Sequence, residues 1–87
     1  MTIEELLKRL EAERETLAIE YRDYYEKSVE IKNDIKRYYE DPFVTPDEVP
    51  YKLIEDFTKY SNLHTATVCQ HNRILSVIKI IKEMASG

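Results

Sequence analysis

The chain reads as an all-α protein, an antiparallel hairpin of two long amphipathic helices expected to assemble into a four-helix or larger bundle. Three observations predict this. Residues 2–41 and 51–86 contain neither glycine nor proline. All three prolines fall within residues 41–50. Both long segments carry apolar side chains at helical rather than strand spacing.

The first helix is predicted over residues 3–40. Thr2 and Glu5 form a capping-box pattern that lets it start at Ile3. A heptad repeat places Ile3, Leu10, Leu17, Tyr24, Ile31 and Tyr38 at one position, and Leu7, Arg14, Tyr21, Ser28 and Ile35 four residues further on. This is a coiled-coil seam interrupted by Arg14 and Ser28. Arg14 is expected to pair with an acid across the helices or to extend toward solvent at the bundle end. Glu4–Lys8, Glu5–Arg9 and Asp23–Lys27 are expected to pair on the outside, each worth about 0.3–0.5 kcal/mol. Such a helix spans roughly 57 Å at about 1.5 Å per residue. It is not stable alone at this propensity, so its stripe must pack on something.

Residues 41–50 form the break. Pro42 ends the first helix near Glu40, because the residue before a proline avoids the helical region. Thr45-Pro46-Asp47-Glu48 is a helix-start signal, with cap, proline and acids at the positive end of the dipole. Pro50 interrupts it, which predicts a short turn at 46–49 and a second helix over about 50–85. Phe43, Val44 and Val49 are expected to fold back over this end.

The second helix carries the stripe Leu53, Ile54, Phe57, Tyr60, His64, Thr67, Val68, His71, Ile74, Leu75, Ile78 and Ile81. Folding the chain about residue 45 sets Phe57 near Ile35, His64 near Tyr25 to Ser28, His71 near Glu20 and Tyr21, and Ile78 near Arg14.

At 87 residues the chain is one domain with a small core. Such chains usually need a disulfide, a metal or a partner. Cys69 is the single cysteine, and no Cys/His cluster has zinc spacing. Association is the remaining means of support, and neither a cofactor nor a metal is expected. The lone cysteine and a charged N-terminal segment without a leader pattern predict a cytoplasmic protein. The net charge of −4 argues against nucleic acid, which favours a basic face. No stretch is apolar enough for a membrane span.

Ile74, Leu75, Val77, Ile78, Ile80, Ile81 and Met84 cover more of the second helix than the stripe, roughly 100° wide, that one neighbour can bury. The excess would be an exposed apolar patch, which monomers avoid. A homo-oligomer is therefore expected, with a two-fold dimer the simplest form. Tyr60, Ile74, Leu75, Ile78, Ile81 and Met84 are the expected interface. A monomer in which the first helix kinks over this face is the rival.

The middle of the second helix is unusual. Residues 60–72 hold no Lys, Arg, Asp or Glu, yet they are rich in Ser, Asn, Thr, Gln and His. A solvated helix face normally carries Lys and Glu, so this segment is read as a contact surface. His64 and His71 stand seven apart on the stripe, opposite Tyr21, Tyr24, Tyr25 and Ser28. One reading is a buried polar layer that sets register and oligomer state. Another is a ligand pocket in which Tyr21, Tyr24, Tyr25, His64, Thr67 and His71 stack on and hydrogen-bond a flat molecule such as a nucleotide. Metal binding is weaker, because histidines seven apart lie about 10 Å from one another. Most of the seven tyrosines are expected in the core with their hydroxyls reaching water.

Enzyme constellations are absent. Glu20, Asp23, Glu26 and Glu30 resemble the acidic helix of metal-dependent nucleotide pyrophosphohydrolases, but the second helix offers only Glu55-Asp56 and the remote Glu83 in reply. Helical chorismate mutases share the length but need several inward cations, and here only Arg14 qualifies. Cys69 has neither histidine on its helical face. The function expected from sequence is thus a non-enzymatic, oligomeric interaction or regulatory module. It would act by helix packing on itself or on a protein partner. A small-ligand-binding bundle is the alternative.

Overall fold

A computed structural model describes residues 1–43 and 49–86. It holds two α-helices, α1 (Ile3–Glu40) and α2 (Tyr51–Ser86), packed antiparallel along one seam. No described residue is in a strand. The molecule is a rod of 65 × 18 × 14 Å with a radius of gyration of 19.4 Å. A compact chain of this length would have a radius of about 12 Å.

Both ends of α1 are held by side chains. The Thr2 hydroxyl accepts a hydrogen bond from the Glu5 N–H at 3.1 Å, satisfying one of the donors a helix start leaves free. At the other end Asp41 leaves the helical region, and its carboxylate accepts from the Phe43 N–H at 2.9 Å. That bond turns the chain at Pro42. The first bond of α2 runs from the Leu53 N–H to the Pro50 carbonyl at 3.0 Å. The proline stands just outside the helix, where its missing N–H costs nothing.

The seam follows the heptads. Along α1 the repeat positions from Leu7 to Tyr38 are half-buried, except Ser28 and Ile31, which are buried. Along α2 the matching series runs through Phe57, Tyr60, His64, Thr67, His71, Ile74, Ile78 and Ile81, with Thr67, His71 and Ile78 buried. Ile78 is the most enclosed at 1 % exposed. Apolar burial beyond this is slight, with Ile31 and Val49 the other buried hydrophobic side chains among the described residues.

Several expectations need correction. Phe43 does not fold back over the hairpin end; it is 90 % exposed, because the Asp41 turn directs it outward. Val49 is buried as expected, whereas Val44 and most of the predicted turn at 46–49 lie outside the described residues. The pairs Glu4–Lys8, Glu5–Arg9 and Asp23–Lys27 do not form. Lys27 turns to Glu30 at 3.8 Å, and Lys36–Glu40, Arg37–Asp34 and Lys52–Asp56 are the other exposed local pairs. Exposed pairs at three- and four-residue spacing differ by only tenths of a kcal/mol, so rotamer preference selects among them. Arg14 bonds the Glu11 carboxylate of its own helix at 3.0 Å. Among the described residues, the pair that crosses the helices is Lys82–Glu11 at 3.5 Å. No helix is long and apolar enough to cross a membrane among the described residues.

Candidate functional site

The heptads bring the predicted aromatic and histidine residues to one level of the rod. Tyr21 enters from α1 between two residues of α2. Its ring meets His71 edge-on at 5.2 Å and His64 edge-on at 6.1 Å. The seven-residue spacing of the histidines opens a gap of about 10 Å along the helix, wide enough for one ring between them. Tyr25 leans on the outer side of His64 at 5.4 Å, and Tyr24 on Tyr60 at 6.3 Å. Lys59 Nζ stands 5.5 Å from the centre of the Tyr60 ring.

The small polar members of the layer are satisfied within their own helices. Thr67 Oγ1 donates to the Leu63 carbonyl at 2.7 Å, and Ser28 Oγ donates to the Tyr25 carbonyl at 2.7 Å. His71 Nδ1 lies 3.1 Å from Asn72 Oδ1. No buried side-chain polar atom among the described residues lacks a partner. The two helices therefore meet here through ring faces and edges, not through cross-helix hydrogen bonds. Such a layer is chemically complete as it stands.

Two shallow grooves flank it. One, of about 430 Å³, is lined by Ala18, Ile19, Tyr21, Arg22, Tyr25 and His64. The next, of about 260 Å³, continues past Tyr25 and His64 to Ser28, Lys32, Phe57 and Thr65. No carboxylate lines either groove. Thr67 and His71 lie in the seam, away from these openings. The six residues read as a ligand site thus form one layer, but Tyr21, Tyr25 and His64 alone border the larger groove. Phe57 shares its groove with Ser28 and Lys32, one turn before Ile35.

The expected interface residues divide. Met84 is exposed, and Tyr60, Ile74, Leu75 and Ile81 are half-buried. Ile78 is not available to a second chain, because Ile78 is enclosed between α1 and α2 of its own hairpin. Val77 at 44 % and Ile80 at 54 % exposure stand outward instead.

Sequence reasoning missed another groove. It lies on the opposite side of the seam, holds about 580 Å³, and is lined by Ala12, Thr16, Leu17, Gln70 and Ile74 with Glu13 and Arg73 at its rims. The signal was limited to Glu13 and Arg73, charges of opposite sign that flank the two stripes. Their meeting depends on a register that only the fold supplies.

Glu11 sits where its neighbours favour the charged form. Its carboxyl is held below the ordinary glutamate range, first by the Arg14 hydrogen bond; desolvation, the next largest effect, opposes this, and the Arg14 charge and Lys82 add to the lowering. Among the described residues, no group of three or more His, Cys, Asp or Glu is placed to hold a metal ion. Compared with known proteins, the chain matches no family model, no curated protein and no solved structure.

Proposed function

We propose that the chain is an oligomeric helical-hairpin interaction module that acts by helix packing rather than by catalysis. The observation that carries this reading is surface area. The single hairpin exposes 6773 Å² at a mass of 10.4 kDa. A compact monomer of that mass exposes about 5,400 Å². The excess, on the order of 1,400 Å², exceeds the roughly 800 Å² per partner of a standard interface. The exposed Val77, Ile80 and Met84 give the excess an apolar part. A layer of uncharged polar and aromatic groups that completes itself suits a register-setting device in such a bundle. Native mass spectrometry at micromolar concentration tests the proposal. Dimers or higher species with no added mass are expected, and a monomer at every concentration overturns it.

A second reading, small-ligand binding, draws on the groove beside Tyr25 and His64, where Arg22 and Lys32 stand without a lining acid. An aromatic anion such as a nucleotide suits that chemistry. A discrete added mass per chain or per pair, displaced by nucleotide, would move this reading ahead.

A further inference from the structure

We propose that the groove between Glu13 and Arg73 is the face on which a second copy of this chain docks, around a two-fold axis parallel to the helices. This rests on the oligomer reading above and names its surface, symmetry and contacts.

The groove is apolar at its floor, through Ala12, Leu17 and Ile74. Its rims carry opposite charges that stay apart, since neither Glu13 nor Arg73 belongs to an ion pair among the described residues. The heptad rows that extend these rims are mixed in sign, and several of their charges are already paired within their own helix. On α1 the row holds Arg9, Glu13, Glu20, Asp23, Lys27, Glu30, Asp34 and Arg37, in which Lys27 pairs Glu30 and Arg37 pairs Asp34. On α2 it holds Lys52, Lys59 and Arg73, interrupted by Asp56, which Lys52 already pairs at 3.4 Å. Toward the chain ends the α2 row turns apolar: Gln70 leads to Val77 and Met84 at seven-residue steps, and Arg73 leads to Ile80. An exposed apolar strip of Val77, Ile80 and Met84 is thus continuous with the groove.

Symmetry decides how two such faces meet. A two-fold axis perpendicular to the rods would lay α1 on α1 and α2 on α2, parting Glu13 from the Arg73 of the second copy. An axis parallel to the rods lays α1 on α2 of the second copy at the same level. Glu13 then faces Arg73 of the second copy, Thr16 faces Gln70, and each helix has antiparallel neighbours on both sides. This arrangement sets the two unpaired rim charges of the groove against their opposites.

Cross-linking tests it. In a Cys69→Ser background, Glu13→Cys copies and Arg73→Cys copies are expressed singly and together, then treated with a short bis-maleimide. A cross-linked dimer from the co-expressed pair, and little from either alone, is the expected result. Native mass is measured on the same samples. A dimer that links instead through co-expressed Arg22→Cys and Thr65→Cys copies overturns this face and leaves the oligomer reading standing. A monomer without links overturns both. Charge exchange gives a second readout that does not depend on cysteine chemistry. Glu13→Arg and Arg73→Glu should each weaken dimerisation by roughly tenfold, and the two in one chain should restore it to within a few-fold. Additive losses in the doubly changed chain would refute the pairing.

Discussion

The ring of Tyr21 meets the ring of His71 edge-on, with centroids 5.2 Å apart, in the middle of a rod whose fully buried aliphatic residues are few. An edge-to-face pair contributes about 0.5–1.5 kcal/mol beyond the area it buries. Tyr21 also touches His64, so its loss removes two ring contacts at once. Tyr21→Leu is expected to cost about 1–2 kcal/mol in urea unfolding. A double-mutant cycle with His71→Leu should give a coupling of about 0.5–1.5 kcal/mol. Strictly additive effects would show that the rings are neighbours without interacting.

Replacing both histidines has a different expected outcome. Neither ring hydrogen-bonds across the helices, and Asn72 is the partner of His71 on the same helix. His64→Leu with His71→Leu therefore strands no buried donor on α1 and adds aliphatic packing to the seam. Stability should be retained or rise, with the change appearing in the number of chains per particle. The readouts are the urea midpoint and native mass. A loss of more than about 2 kcal/mol would show that the layer carries a polar interaction absent from this geometry.

The hairpin itself was legible because its signals are local and repeated. A heptad running from Ile3 to Tyr38 with two polar interruptions, three clustered prolines and the Thr2 cap each point to the same two helices. The meeting of Tyr21 with His71 was legible as well, since counting back from a short loop sets the level of a residue to within a turn. Ion-pair partners were not, because Lys27 has acids at both Asp23 and Glu30 and the alternatives differ by less than thermal energy. Ile78 was misread as interface. An apolar-rich segment shows that more than one face is covered, but the register of α1 decides which isoleucine enters the seam. The groove between Glu13 and Arg73 was missed for the same reason, its rims being distant in sequence.

Glu11 links the two helix ends through Arg14 and Lys82, and its charge should be visible in acid. Its carboxyl is held below the ordinary range, so the folded state binds the proton less readily than the unfolded chain. The stabilisation it gives is fully present above the unfolded value, near pH 4.3, and is lost as pH falls through the lower folded value. The stability difference between wild type and Glu11→Gln should therefore be positive at pH 7 and shrink to nothing in strong acid. Because the carboxylate is exposed, 0.5 M salt should reduce the difference at neutral pH. A difference that grows on acidification would reverse the assignment.

Ile78 and Ile80 are two residues apart on α2 and should behave as opposites. Ile78 is 1 % exposed and held by the seam, whereas Ile80 is 54 % exposed and faces away from it. Truncating Ile78 to alanine removes buried methylenes and leaves a cavity that rigid helices cannot close, at about 2–4 kcal/mol. The same change at Ile80 should cost the hairpin little. Charge at Ile80 separates the two roles further. Ile80→Glu should leave helix content by circular dichroism intact while shifting the particle to a smaller mass, because the glutamate is tolerated in water and not in an apolar contact between copies. If Ile80→Glu unfolds the chain, folding and association are one step, and the dimer should reappear as the concentration is raised. If it changes neither helix content nor particle mass at any concentration, the exposed strip of α2 is not where copies meet.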